Sequence, residues 1–261
     1  MNITLLGKNA LVGGSSKGIG EAITKQLAAS GANVTLMARN EEKMKAIISL
    51  LPSDQGQKHQ YLVVDFSNFE TYKSTMRSFF NQHSIDILVN NTQGPAAGGA
   101  LEKKVEDYQQ AFDLLFKSVV YTTALAVENM QKKGWGRIIN VASISVKEPL
   151  NYLALSNSIR AAVVTWAKSL AFDVAKDGIT VNNVLTGYFD TDRIAQLNSK
   201  KAEKLGISAS EVKANMEAQV PMKRIGDPKE YGFLVAFLAS EQAAYITGIN
   251  IPIDGGLLKS L

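Results

Sequence analysis

The stretch from Ala10 to Ala22, which reads A-L-V-G-G-S-S-K-G-I-G-E-A, restricts the possible folds of this chain more than any other stretch. Three apolar residues are followed by a glycine-rich turn, and a pattern typical of an amphipathic helix begins at Ile19. In a strand–turn–helix unit of this kind, backbone N–H groups at the start of the helix can point at a diphosphate. The order of these elements therefore predicts a dinucleotide-binding unit near the start of the chain.

Three glycines in this turn have separate roles in that interpretation. Gly14 allows a tight turn, Gly18 lets the backbone approach the phosphates, and Gly20 lets the helix pack close to the strand. The spacing G-x-x-x-G-x-G would also suit a purely structural turn, but its place between a strand and a helix favours phosphate binding. The cofactor-binding residues predicted in the turn are Gly14, Ser16, Lys17, Gly18, Ile19 and Gly20.

Apolar runs typical of buried strands alternate with helix-like segments along the whole chain. The strands are predicted at residues 10–12, 34–38, 61–64, 85–90, 137–142, 179–185 and 249–253. The helices are predicted at residues 19–29, 42–50, 69–82, 105–132, 152–175 and 228–240. Buried strands separated by helices imply an α/β fold with a doubly wound, Rossmann-like parallel sheet that binds ligands at the carboxyl ends of its strands. Because no linker or repeat appears, residues 1–261 are interpreted as a single domain.

A polar, lysine-rich segment between the sixth strand and the next helix, residues 192–221, interrupts this alternation. An insertion at this point would overhang the carboxyl end of the sheet, so a helical lid over the substrate is one interpretation. A solvated pair of surface helices with no functional role is the other.

Charge and cysteine content exclude several classes of protein. The 28 basic and 24 acidic residues give a net charge of +4, and they are spread along the chain, so nucleic-acid binding is not expected. There is no cysteine, and the two histidines, His59 and His83, lie too far apart to suggest a metal site. No apolar run has the ~20 residues of a membrane span, and no signal peptide is apparent. We therefore expect a cytoplasmic protein that binds neither a metal nor a membrane.

The end of the second predicted strand indicates which dinucleotide the chain prefers. NAD-specific folds have an acidic side chain there for the ribose hydroxyls, whereas NADP-specific folds place a cation against the 2′-phosphate. This chain has Ala38 followed by Arg39, and Lys17 adds a second cation. Each cation alone could be a solvated surface charge, but together they favour NADP. Asp65, which ends the third strand, can accept from an adenine amine or cap the next helix.

Six motifs occur in order between residues 7 and 256. They are G-G-S-S-K-G-I-G (13–20), D-I-L-V-N-N (86–91), G-R-I-I-N-V-A-S (136–143), G-I-T-V-N-N-V (178–184), R-I-G-D-P-K-E (224–230) and I-T-G-I-N-I-P-I-D-G-G (246–256). In these motifs the chain resembles the short-chain dehydrogenase/reductase family, in its 3-oxoacyl-carrier-protein-reductase-like branch. The resemblance implies about seven parallel strands, a nicotinamide dinucleotide and a homotetramer.

The resemblance also implies which residues bind the cofactor. Besides the glycine-rich turn they are Arg39, Asp65, Asn90 and Thr191. Thr191 ends a pattern, P-G-x-x-x-T, that contacts the nicotinamide carboxamide, although Thr186 replaces its proline here. The family's N-N-A-G motif reads N-N-T-Q at residues 90–93, so Gln93 stands at a glycine position.

Reduction of a carbonyl needs a hydride, a donor that polarises the oxygen, and a proton source. The family uses a serine after the fifth strand, a Tyr-x-x-x-Lys pair on the next helix, and an asparagine that completes a water relay. Ser143 matches the serine, but Ser156 and Arg160 occupy the tyrosine and lysine positions, and Leu115 occupies the asparagine position. The chain is thus interpreted as part of a divergent branch that lacks the Tyr-x-x-x-Lys pair, with Ser143, Ser156 and Arg160 as its catalytic residues.

These replacements affect binding and catalysis differently. Arg160 can hold ribose hydroxyls, but a guanidinium with a pKa above ~12 does not shuttle protons. Ser156 is a much weaker acid than a phenol, and loss of a positioned acid costs on the order of 10²–10⁴ in rate. Tyr152, expected on one helix stripe with Ser156 and Arg160, and Tyr188 are hypothetical substitute donors. Both could equally be packing or lid residues.

The sequence as a whole predicts an NADP(H)-dependent oxidoreductase that interconverts a carbonyl and a secondary alcohol. Ser143 would polarise the substrate oxygen, and Arg160 would anchor the ribose. The resemblance makes a small molecule or an acyl thioester the expected substrate. The alternative is a catalytically degenerate NADP-binding protein that acts as a sensor or an assembly partner.

Overall fold

Seven parallel strands form one sheet in the order β3-β2-β1-β4-β5-β6-β7 in the computed structural model, which describes residues 3–260. The strands are β1 (Asn9–Gly13), β2 (Asn33–Ala38), β3 (Gln60–Val63), β4 (Ile87–Asn90), β5 (Gly136–Val141), β6 (Ile179–Thr186) and β7 (Asn250–Ile253). The strand order reverses between β1 and β4, and ligands of open α/β sheets bind outside the carboxyl ends at such a point. The ends of the predicted domain, residues 1–2 and 261, lie outside the described residues.

Helices cover both faces of the sheet. They are α1 (Gly18–Ala29), α2 (Glu41–Ile48), α3 (Phe69–Gln82), α4 (Val105–Phe112), α5 (Ser118–Lys133), α6 (Ala154–Val174), α7 (Asp192–Leu205), α8 (Ala209–Gln219) and α9 (Pro228–Ala239). Adjacent residues of β1 point to opposite faces, so Val12 packs with α1, α2 and α9, whereas Leu11 packs with α3, α5 and α6. The predicted doubly wound parallel sheet is confirmed. No helix within residues 3–260 is long and apolar enough to cross a membrane.

Two predicted helices have different limits in the structure. The predicted helix at 105–132 is divided into α4 and α5 by a π-helical segment, Asp113–Lys117, in which Leu115 is buried. The predicted helix at 152–175 begins only at Ala154, whose N–H donates to the Gly98 carbonyl at 3.0 Å, while the Leu153 N–H donates to the Leu150 carbonyl in the preceding turn. Tyr152 therefore lies before α6, and its predicted place on a stripe with Ser156 and Arg160 was wrong.

Four asparagines form a row of amide hydrogen bonds across the sheet. The Asn90 amide donates to Asn140 at 2.8 Å, Asn140 donates to Asn183 at 2.9 Å, and Asn183 donates to Asn250 at 2.8 Å. The four residues are directly paired on β4, β5, β6 and β7. This asparagine row links the four strands and helps to fix their relative register.

Candidate active site

One cavity of about 690 Å³ lies at the carboxyl ends of β1, β2, β4, β5 and β6. Nine predicted cofactor-binding residues line it: Gly14, Ser16, Lys17, Gly18, Ile19, Gly20, Arg39, Arg160 and Thr191. The predicted catalytic residues Ser143 and Ser156 line it as well. The structure thus brings the glycine-rich turn and the serines together in one place.

The glycine-rich turn is held close to β2 and to the start of α1. Gly14 and Gly18 have φ angles of 55° and 58°, in the left-handed region that favours glycine. A Cβ atom at Gly20 would lie 2.2 Å from the Gly14 carbonyl oxygen, so no larger residue fits there. The buried Ser15 hydroxyl accepts from the Met37 N–H at 2.8 Å and fixes the turn against β2. The first turn of α1 consequently forms one wall of the cavity.

The two cations predicted for the 2′-phosphate both have partners in the structure. The Arg39 Nη2 donates to Gln93 Oε1 at 2.6 Å, and the Lys17 Nζ lies 3.6 Å from Asp192 Oδ2. Gln93 also lines the cavity, so the residue at the family's glycine position orients the Arg39 guanidinium. No acid stands at Ala38.

Two predicted cofactor-binding residues do not line the cavity. Asn90 is buried in the sheet, where its amide also donates to Thr123 at 3.0 Å. Asp65 accepts from the backbone N–H and the hydroxyl of Ser67, at 2.9 and 2.7 Å, and these bonds lower the pKa of Asp65. The next residues along the chain, Asn91 and Phe66, line the cavity instead. The cofactor contacts of Asn90 and Asp65 stay predictions.

The serine end of the cavity, formed by Ser143, Ser156 and Arg160, follows β5 and the start of α6. The Ser143 hydroxyl accepts from the Ser145 N–H at 3.1 Å, and Ser156 lies one helical turn before Arg160. The Arg160 Nη1 donates to the Val141 carbonyl at 2.5 Å. Among residues 3–260, this guanidinium has that single hydrogen bond and no carboxylate within ion-pair distance. Partial burial lowers the pKa of Arg160, and the cost of that partly buried charge favours a polar ligand here.

Tyr152 and Tyr188 hydrogen-bond to each other, and neither lines the cavity. Burial, together with Tyr188, raises the pKa of Tyr152 to about 12, and burial also raises the pKa of Tyr188. Both phenols therefore stay protonated at neutral pH. Because neither phenol lines the cavity, their placement favours packing or lid residues over substitute proton donors.

The sequence profile of the family described as enoyl-(acyl carrier protein) reductase matches residues 14–258. The chain belongs to the short-chain dehydrogenase/reductase family. The family and fold expected from the six motifs are both confirmed.

Individual relatives match over almost the whole chain. The 3-oxoacyl-[acyl-carrier-protein] reductase of Haemophilus influenzae is 37% identical over 97% of this chain and 99% of its own length. The enzyme of the same name from Escherichia coli is 35% identical over 96% and 97%. Among solved structures, L-sorbose reductase from Gluconobacter frateurii, complexed with NADPH and L-sorbose, aligns over 100% of both chains with 31% identity and a TM-score of 0.92. YwfH, an NADPH dependent reductase involved in bacilysin biosynthesis, covers 97% of this chain and 99% of its own at 30% identity and a TM-score of 0.91.

Sequence reasoning missed several residues that this family member places in the cavity. Gln93 and Pro95 come from the loop after β4, Leu153 from the turn before α6, and Arg193 from the first turn of α7. The available signal was their position just after the carboxyl ends of strands, or just before a helix that follows one.

Proposed function

We propose that the cavity is the active site of an NADP(H)-dependent oxidoreductase that interconverts a carbonyl and a secondary alcohol. The observation that carries this proposal is the meeting of the glycine-rich turn, two cations and Ser143 in a single cavity of about 690 Å³. That volume is within the usual range of ligand sites, ~300–1,000 Å³. NADP is also the cofactor of similar reductases, because L-sorbose reductase was solved with NADPH and YwfH is described as NADPH dependent.

The lining residues fit NADP in their chemistry. The first turn of α1 would receive the diphosphate, since Gly14 and Gly18, whose positive φ angles favour glycine, place no side chain in its path. Lys17 and Arg39 would bind the 2′-phosphate, and Thr191 the nicotinamide carboxamide. The unused N–H groups of Arg160 would hold the ribose hydroxyls. Asp65 would accept from the adenine amine.

The proposed chemistry depends on positioning more than on a strong acid. Bound NADPH supplies the hydride. Ser143 donates a hydrogen bond to the carbonyl oxygen and stabilises the negative charge that develops there. Ser156 passes a proton to that oxygen from water, because it stands at the position of the family tyrosine on α6. The partly buried charge of Arg160 adds electrostatic stabilisation. Ser156 and Arg160 at these positions support the proposal that the chain is part of a branch without the Tyr-x-x-x-Lys pair.

The substrate enters beside α7 and α8, which occupy the predicted lid segment at residues 192–221. The cavity is lined by Ile194 and Leu197 on α7 and by Phe189, which precedes that helix in the chain. These side chains favour a substrate with an apolar part. The acyl thioesters of acyl-carrier-protein reductases and small carbonyl compounds are both compatible with this lining. We also propose that the protein is a homotetramer in the cytoplasm. Sedimentation analysis of the purified protein tests the tetramer.

A second candidate function is that of an NADP-binding sensor or assembly partner without turnover. Leu115 favours this candidate, because it is buried at the family's asparagine position and offers no polar group to a water relay. Fluorescence titration of NADPH, followed by absorbance assays with a panel of carbonyl compounds, distinguishes the two. Oxidation of NADPH by any member of the panel above the buffer rate supports the oxidoreductase. Tight binding without oxidation supports the sensor, and a preference for NADH would contradict the roles of Lys17 and Arg39.

A further inference from the structure

Arg193 is the third guanidinium that lines the cavity, beside Arg39 and Arg160, and it has no role in the proposed function. It lies in the first turn of α7, and its Nη2 donates to the Pro95 carbonyl at 2.9 Å. Among residues 3–260, no carboxylate lies within ion-pair distance of Arg193, although the adjacent Asp192 pairs with Lys17. Arg193 and Asp192 therefore reach to different sides of the cleft.

The position of Pro95 shows which side of the cleft Arg193 faces. The loop that contains Pro95 continues to Gly98, whose N–H donates to the Tyr152 carbonyl at 2.7 Å. The Gly98 carbonyl in turn accepts from the Ala154 N–H at 3.0 Å, at the beginning of α6. This loop thus leads from Arg193 to the helix that carries Ser156. Arg193 therefore contacts the loop that joins β4 to the start of α6, whereas Asp192 pairs with Lys17 of the glycine-rich turn.

The cavity is lined by more cationic side chains than the phosphate groups of the cofactor require. Asp192 is the only carboxylate among the described lining residues, and Lys17 is its partner. Lys17 and Arg39 are assigned to phosphate groups and Lys43 lies on α2, which leaves Arg160 and Arg193 as the remaining cations of the described lining. Burial lowers the pKa of Arg160 most, and the charge of Arg193 lowers it further, so the two guanidinium groups interact unfavourably. A bound anion between them would offset that repulsion.

We propose that Arg193 binds a carboxylate group of the substrate, so that the chain acts on oxo acids in preference to neutral carbonyl compounds. A guanidinium with one N–H edge fixed on Pro95 has other N–H groups free to form two parallel hydrogen bonds to a carboxylate. Ile194 and Leu197, which line the cavity beside Arg193, contact the carbon chain. This inference names the substrate class of the proposed reductase and rests on that function.

The test compares each oxo acid with its methyl ester, because esterification removes only the charge. Hexanoic acids with an oxo group at carbon 2, 4 or 5 cover different distances between the carbonyl and the carboxylate. The variants are Arg193→Gln, Arg193→Lys and, as a matched control, Lys201→Gln, which removes an exposed charge from the same helix. We expect the wild-type protein to favour at least one acid over its ester in kcat/KM. Arg193→Gln should reduce that ratio by about 10- to 100-fold, the effect of losing a charged hydrogen bond.

The remaining variants separate a substrate contact from a cofactor contact. Arg193→Lys should retain part of the acid preference, and Lys201→Gln should retain all of it. The affinity for NADPH, measured by fluorescence titration, should change by less than about twofold in every variant. A loss of NADPH affinity as large as the loss of acid preference would overturn the inference, since Arg193 would then bind the diphosphate. Circular dichroism spectra confirm that each variant is folded.

Calorimetric binding of hexanoate to the NADP⁺-loaded protein separates this inference from the proposed function. If no compound is reduced but hexanoate binds and Arg193→Gln abolishes its binding, the reductase is wrong and the carboxylate site stands. If acids and esters are reduced equally well and Arg193→Gln leaves their ratio unchanged, the reductase stands and the carboxylate site is wrong. Absence of hexanoate binding together with no acid preference also overturns the carboxylate site.

Discussion

The glycine-rich turn and the serine end of the same cavity differ in how far the protein itself satisfies their polar groups. Beside the turn, Arg39 has Gln93 at 2.6 Å and Lys17 has Asp192 at 3.6 Å. At the serine end, Arg160 has one backbone carbonyl and no carboxylate among the described residues. The first region offers two cations that the protein itself already orients, whereas the second offers a guanidinium with N–H groups left for a ligand. Variants in the two regions can therefore be compared for their effects on cofactor binding and on turnover.

Restoring the family pair at the serine end should have the largest effect. The double variant Ser156→Tyr/Arg160→Lys places a phenol and an amine one helical turn apart on α6. We expect kcat to rise by about 10²- to 10⁴-fold, because a positioned acid of suitable strength contributes that much. Steady-state assays with the best carbonyl substrate measure the gain, and Ser156→Ala serves as the control without a hydroxyl. An unchanged or lower kcat in a folded double variant would mean that Ser156 and Arg160 do not stand in for the family pair.

A change at the glycine-rich turn should affect binding. In Gly20→Ala the new methyl group would lie 2.2 Å from the Gly14 carbonyl oxygen, so the turn must shift. We expect the Kd for NADPH to rise at least about tenfold, or ~1.4 kcal/mol. Gly134→Ala is the control, because Gly134 has a positive φ of 62° but no atom within 4 Å of the added carbon. Equal Kd values for both variants would show that the turn does not hold the phosphates.

A smaller effect is expected at the contact between Gln93 and Arg39. Gln93→Gly restores the family residue and removes the 2.6 Å hydrogen bond that orients the Arg39 guanidinium. Since the bond is exposed, the Kd for NADPH should rise only about three- to fivefold, while the Kd for NADH stays constant. Tighter NADPH binding in this variant would indicate that Gln93 holds Arg39 away from the phosphate.

The smallest effect is expected from the phenols near the serine end. Because the pKa of Tyr152 is raised to about 12, its phenol stays protonated and neutral between pH 7 and pH 10. The rate at saturating NADPH should therefore show no tyrosine-dependent change over that range, and Tyr152→Phe should leave it unaltered. An inflection between pH 8 and pH 10 that disappears in Tyr152→Phe would identify Tyr152 as the proton donor after all.

Features encoded by consecutive residues were predictable from the sequence. The glycine-rich turn and the strands follow from local apolar runs, and α3 has the predicted limits, because its asparagine cap and amphipathic pattern lie within one segment. The start of α6 was not predictable, since it depends on Gly98, some fifty residues earlier in the chain. The π-helical segment around Leu115 was not predictable from the sequence, because the apolar pattern of the helix continues through it.

The cavity residues that were hardest to predict are those that reach the cavity only through contact with a residue far away in the sequence. Arg193 becomes a cavity residue through its bond to Pro95, and Gln93 through its bond to Arg39, both long-range contacts. Asn90 illustrates a different difficulty, because its position at the end of an apolar strand is the same for a side chain directed at a cofactor or at a neighbouring strand. Its neighbours Thr123 and Asn140 determine its orientation, and neither is close in sequence.

The asparagine row has a mechanical consequence for the protein. An interior member such as Asn183 both accepts and donates a hydrogen bond. Its replacement by an apolar residue would leave the Asn140 amide without its acceptor and the Asn250 oxygen without its donor. Loss of Asn250 at the rim removes only a single acceptor. The row thus connects β7, at the edge of the sheet, to β4, and a substitution in its interior breaks two hydrogen bonds between strands where one at Asn250 breaks a single bond.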